Sequence, residues 1–223
     1  MNSFLISQAD NAIANFVFAH GAGADMHHEF MNQVTQLLVD ERINVIRFNF
    51  PYMVKRECDG KRYPPDRMPK LLLAYEEVLK HILEEKITEI IAPNLPLFIG
   101  GKSMGGRVAA NLLQSAEFDK VSKNVLGLVC LGYPFHPQKQ PDKLRLTPLV
   151  NGTKQTLIIQ GDRDALGNKD EVLNYQLPRH CQCLFLEDGD HSFKPRVKSG
   201  FTHMQHIHSA VKKIVNFIYE LKY

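Results

Sequence analysis

A chain of 223 residues that is 44% hydrophobic and 23% charged carries enough apolar material for an ordinary globular core, and one domain spanning 1–223 is expected. Lysine plus arginine, 27, against aspartate plus glutamate, 24, leaves +3, with no long basic run, which speaks against nucleic acid as a partner. No stretch approaches the ~18 apolar residues of a membrane span, and Met1–Ser7 lacks a basic, apolar leader, so a cytoplasmic protein is expected.

Residues 4–6 and 15–19 read as short strands, the second running into His20-Gly21-Ala22-Gly23-Ala24. Asp25 is placed to cap a helix carrying Phe30, Val34, Leu37 and Leu38 at helical spacing. Residues 44–50 read as a strand stopped by Pro51, and 51–69 as a long proline-punctuated loop. Leu71, Leu72, Tyr75, Val78, Leu79, Ile82 and Leu83 mark an amphipathic helix. Strands at 95–100, 124–131, 155–161 and 183–186 follow, with a helix through Val108, Leu112 and Leu113 after the first of them. Met204, Ile207, Val211, Ile214, Val215, Ile218 and Leu221 form the apolar stripe of a closing helix. Strands alternating with helices imply an α/β fold with a mostly parallel sheet and helices on both faces. Ligands of such sheets sit beyond the strands' carboxyl ends.

The strand at 95–100 ends in Gly100-Gly101-Lys102-Ser103-Met104-Gly105-Gly106-Arg107, where Ser103 has the G-x-S-x-G setting of a nucleophile elbow. With glycine and serine each at about 7% usage, that pattern arises by chance in roughly one chain in thirteen of this length, so partners must carry the argument. A phosphate-binding G-x-x-x-x-G-K-S loop would need glycine where Pro96 stands. Two later loops at strand ends supply the partners: Asp164 in Gly161-Asp162-Arg163-Asp164, and His191 in Gly189-Asp190-His191-Ser192-Phe193. The order Ser…Asp…His is that of hydrolases in which histidine takes the serine's proton and the carboxylate orients the histidine. Asp162 is a rival for the acid, and a plain loop histidine is the alternative for His191. The glycine loop after the second strand suits an oxyanion hole, with the Ala22 and Met104 N–H groups as donors and His20 ordering the loop.

No metal site is expected. Cys58, Cys130, Cys181 and Cys183 lack zinc-ligand spacing. His203 and His206 share a helix face, but His208 lies about 140° from one and about 160° from the other. His27 and His28 read as a solvated helix start.

These segments, together with Arg47-Phe48-Asn49-Phe50-Pro51-Tyr52-Met53, Pro64-Pro65-Asp66 and Gly132-Tyr133-Pro134-Phe135-His136-Pro137, cover the chain from end to end. In them the chain resembles the α/β-hydrolase superfamily. It is most similar to a small cap-less group related to dienelactone hydrolase, with bacterial hydrolase-like proteins and eukaryotic testis-expressed and chromatin-complex relatives. The resemblance implies nucleophile Ser103, acid Asp164 and base His191, and no separate cap domain. Asp162 departs from the small polar residue expected there and keeps the choice of acid open.

The expectation is a serine hydrolase acting on a small-molecule ester or thioester through an acyl-enzyme, with no cofactor and an open site rimmed by 51–69 and 134–147. A non-catalytic binding protein of the same fold, keeping the three residues as a relic, is the alternative. Both rims carry excess lysine and arginine, read either as solvated charge or as steering for a substrate with an acidic handle.

Overall fold

The structure is a computed structural model that describes residues 4–84 and 94–222; Met1–Ser3 of the leader reading lie outside the described residues. Seven strands form one sheet: β1 (Phe4–Ser7), β2 (Ala14–Ala19), β3 (Ile43–Phe48), β4 (Leu97–Lys102), β5 (Val125–Leu131), β6 (Gln155–Gly161) and β7 (Cys181–Leu186). Their order is β1-β3-β2-β4-β5-β6-β7, with β1 antiparallel to β3 and all other pairings parallel. The alternation read from sequence therefore closes as a mostly parallel α/β sheet.

Period-two alternation divides the core. On β2, Val17 and Ala19 face α3 (Met68–Leu83) and α4 (Met104–Gln114), while Phe16 and Phe18 face α1 (Glu29–Asp40) and α8 (His203–Lys222). Helix α3 buries Leu71, Ala74, Tyr75, Val78, Leu79 and Ile82, the i, i+3, i+4 stripe seen in the sequence. The Tyr75 hydroxyl reaches into the sheet, 2.9 Å from the Val17 and Gly100 carbonyls and 3.1 Å from the Gly100 N–H it accepts.

Two sequence expectations are corrected. Residues 51–69 are not wholly loop: Pro51–Asp59 is helix α2. β3 already ends at Phe48, and Pro51 instead starts α2, where its missing N–H costs nothing at the first helical position. Gly60, at φ 70°, ends the helix in the left-handed conformation. Asp25 does not cap α1. It holds a turn, accepting the His27 N–H at 2.9 Å, and the N-cap is His28, whose Nδ1 accepts the Phe30 N–H at 3.2 Å.

Three short helices complete the frame: α5 (Asp119–Ser122), α6 (Thr147–Val150) and α7 (Lys169–Asn174). What positions the site is the contact between β2 and the start of α4. A Cβ at Gly105 would stand 2.5 Å from the Ala19 carbonyl oxygen and 2.7 Å from that of His20; one at Gly101 would stand 2.5 Å from the same Ala19 oxygen. Two backbones thus touch where any side chain would wedge them apart. Gly105→Ala is expected to lower stability by about 1–3 kcal/mol, read as a drop in Tm of about 2–4 °C per kcal/mol. Gly23→Ala, where an added methyl meets nothing within 4 Å, is the control and should melt like the parent.

Candidate active site

Ser103 is the single residue between β4 and α4. Its backbone is at φ 51°, ψ −112°, a region L-residues seldom occupy, with a strain of order 1–3 kcal/mol. Two hydrogen bonds hold the turn: the Ser103 N–H donates to the Leu131 carbonyl at 2.9 Å, and the Ser103 carbonyl accepts the Arg107 N–H at 3.1 Å. The side chain is thereby lifted out of the sheet at its carboxyl end.

Ser103 Oγ lies 2.9 Å from His191 Nε2, and His191 Nδ1 lies 2.7 Å from Asp164 Oδ2. Of the two candidate acids, the structure sets Asp164 against the imidazole. Asp162 secures the loop through its backbone, donating to the Leu186 carbonyl and accepting the Lys169 N–H. Asp164 is fully buried after β6; its Oδ1 accepts the Leu166 N–H at 2.9 Å, and its Oδ2 accepts from Gln160 Nε2 at 2.9 Å. With both oxygens bonded, the carboxylate is fixed before it meets the histidine. Gln160 is a supporting residue that sequence reading missed, since it looks like any strand residue.

The loop after β7 holds His191 in a tight knot. Asp190 Oδ1 accepts the N–H groups of Ser192 and Lys194, and Phe193, at φ 67°, is driven into the core against Phe30. The Arg196 guanidinium on Asp188 holds that carboxyl down at about 2 and closes the loop behind the histidine. His203 and His206 bond this same loop from α8, to the Ser192 carbonyl at 2.9 Å and the Phe193 carbonyl at 2.8 Å, while His208 bonds its own helix at Met204. Among the described residues no group of three His, Cys, Asp or Glu side chains could hold a metal ion.

The loop after β2 carries Ala22, and its amide and that of Met104 donate to no protein acceptor among the described residues. Met104 is the first residue of α4, where helix geometry leaves the N–H free. Two side chains order the Ala22 loop. Tyr52, from α2, donates to the Ala22 carbonyl at 3.1 Å. His20, fully buried, bonds the Gly21 carbonyl through Nδ1 at 2.7 Å and accepts the Phe50 N–H at Nε2, 3.1 Å away, so it is neutral with its proton on Nδ1. Tyr52 was concealed in the sequence inside what read as a loop.

A cavity of about 570 Å³ opens beside Ser103 and His191, lined chiefly by 21–33, Lys102 and 191–203. A second groove, about 500 Å³, shares Ala22 and Gly23 and runs along Arg56, Arg62 and Tyr63 to Pro65. The rim expectation is corrected accordingly: 51–69 lines the second groove, 134–147 lines neither, and the wall of the cavity beside Ser103 comes from the start of α1 and the loop after β7.

Burial holds the His20 imidazolium down at about 4 from the usual 6.5. The unfolded chain therefore takes up this proton first as pH falls. The stabilisation is whole above about 6.5, declines between about 6.5 and 4, and is gone below, about 3 kcal/mol in all. Chemical denaturation across pH 4–7 should show a steeper acid loss for the parent protein than for His20→Gln, which removes the titrating group.

Residues 12–219 match the alpha/beta hydrolase domain family. Among solved structures, the chain is similar to dienelactone hydrolase from Anabaena variabilis, with a TM-score of 0.72 at 16% identity over 98% of this chain and 91% of that one. It is similar to Est1E from Butyrivibrio proteoclasticus, determined with ferulic acid bound, at 0.66 and 14% identity over 99% and 95%. A serine hydrolase without a lid from Xanthomonas campestris gives 0.57 and 16% identity over 97% and 86%. At these identities the likeness is one of fold, and it agrees with the sheet order and the strand-end loops described above. The chain belongs to the alpha/beta hydrolase domain family.

Proposed function

We propose that the protein is a serine hydrolase that cleaves a small-molecule ester or thioester through an acyl-enzyme on Ser103. The observation that carries this reading is the unbroken hydrogen-bond chain from buried Asp164 through His191 to Ser103, opening on a cavity. Ser103 Oγ attacks the carbonyl carbon as His191 Nε2 takes its proton, and the imidazolium is stabilised by the Asp164 carboxylate. The carbonyl oxygen, now an anion, is held by the Ala22 and Met104 N–H groups. His191 returns the proton to the departing alcohol or thiol, leaving an acylated serine. Water, deprotonated by the same nitrogen, attacks that acyl group, and as the bond to Ser103 Oγ breaks His191 returns the proton to that oxygen and the acid is freed. The reading assigns no step to a metal or organic cofactor.

A fluorophosphonate probe and an activated ester test it. The parent protein should label at Ser103 and turn the ester over. Ser103→Ala and His191→Ala should each lose about 10⁴-fold or more in kcat, and the double variant hardly more, because the residues act as one unit. A folded parent protein that neither labels nor turns over would be a binding protein of this fold.

The acid is tested separately. Asp164→Asn should cost about 10⁴-fold in kcat by favouring the wrong imidazole tautomer, while Asp162→Asn should change it little. The reverse ranking in steady-state kinetics would move the role to Asp162.

A further inference from the structure

Lys102 ends β4 beside Ser103, and its side chain turns under the cavity wall. Its Nζ donates to the backbone carbonyl of His191 at 2.7 Å and stands 5.8 and 5.6 Å from the ring centres of Phe30 and Phe193. Gly132 makes the room: at φ 66° it has no Cβ, and one built there would lie 2.8 Å from that nitrogen. The ammonium is therefore in an enclosure formed by three separate segments, at Phe30, at Gly132 and at His191–Phe193. Burial lowers its pKa to about 8, against the pull of Asp164 and Asp190.

Asp164 and Asp190 act on this cation only through space, and what it lacks is a directly bonded anion. Among the described residues it makes one hydrogen bond and no salt bridge. An ammonium has three N–H donors, so two are left without a protein acceptor. Aromatic faces support a cation and exclude water, but they do not neutralise charge. Donors left unmet on a desolvated cation are costly, and here they belong to a residue that lines the same cavity as Ser103 and His191. An incoming anionic oxygen would meet both deficits at once.

We propose that Lys102 is a specificity-determining residue whose ammonium binds a carboxylate-class group on the substrate, close to the ester or thioester carbonyl that Ser103 attacks. The proposal rests on the hydrolase reading above and adds the substrate's charge to it. It differs from steering by the exposed loop cations. Exposed charges are screened when salt shortens the Debye length to about 3 Å at ~1 M, and a buried pair is screened much less.

Monomethyl adipate and methyl hexanoate are matched in length and differ by one carboxylate. The parent protein should favour the adipate by about 10- to 100-fold in kcat/KM, the worth of a charge-assisted hydrogen bond, and keep that preference in ~1 M salt. Lys102→Met removes the bond to the His191 carbonyl and so slows both esters; the ratio is what is read, and it should fall to about one. Lys194→Gln, at the cavity mouth, should retain it. An unchanged ratio in Lys102→Met, or a preference abolished by salt, overturns the proposal. Calorimetry of both esters with Ser103→Ala supplies an arm that needs neither catalysis nor a folded Lys102→Met: tighter binding of the adipate by the same factor supports the proposal, and equal binding overturns it. If the parent protein neither labels with the fluorophosphonate nor turns over the activated ester, yet Ser103→Ala prefers the adipate, the hydrolase reading fails while the anion site stands. If both esters turn over equally, the reverse holds.

Discussion

Everything at the candidate site depends on how closely the end of β2 is allowed to approach the turn between β4 and α4. The carbonyls of Ala19 and His20 occupy the space that side chains at positions 101 and 105 would fill. That approach brings the loop bearing Gly21 and Ala22 against the turn at Ser103. It also leaves Ser103 no ordinary backbone conformation, and the strain at that residue is the counterpart of the contact. The rest of the fold serves to hold this geometry. Tyr75 ties α3 to β2 and β4 just below it, and two apolar cores clamp the sheet from either side.

Around that contact the site is assembled from strand-end loops that are each stiffened by polar groups with no chemistry of their own. Asp164 is held by Gln160 and an amide, His191 by a loop knotted around Asp190, and Ala22 by Tyr52 and His20. Ser103, Asp164 and His191, the three groups of the proposed mechanism, follow different strands, so the distances between them report the accuracy of the whole sheet rather than of any one loop.

The sheet was legible because each strand is a run of apolar residues closed by turn residues, and all seven runs lie where strands form, with ends shifted by one or two residues. Ser103, Asp164 and His191 were legible because they share a position, just past a strand's end, and a chain order. Asp164 over Asp162 was less so: two carboxylates two residues apart look alike until the buried Gln160 shows which one points inward. Helix α2 was hidden because a proline after an apolar run reads as a stop, whereas Pro51 stands at the first position of a helix, and nothing local separates the two roles. Lys102 went unremarked beyond the discarded phosphate-loop match, because a lysine's default is solvent and its burial depends on Gly132, Phe30 and Phe193, which lie far away in sequence. The placing of the cavity wall in 21–33 and 191–203 likewise depends on which loops fold over the sheet edge, a property of packing rather than of composition.

The bonds from His203 and His206 to the carbonyls of Ser192 and Phe193 join α8 to the loop of the proposed base. In an energy landscape made of parts that open as units, these two belong to one unit. The imidazole at residue 191 then shares its support with that helix. Two of the bonds that keep it in place thus begin on the first turns of a twenty-residue helix, so the seat of that helix on the sheet is part of what aims the imidazole at Ser103.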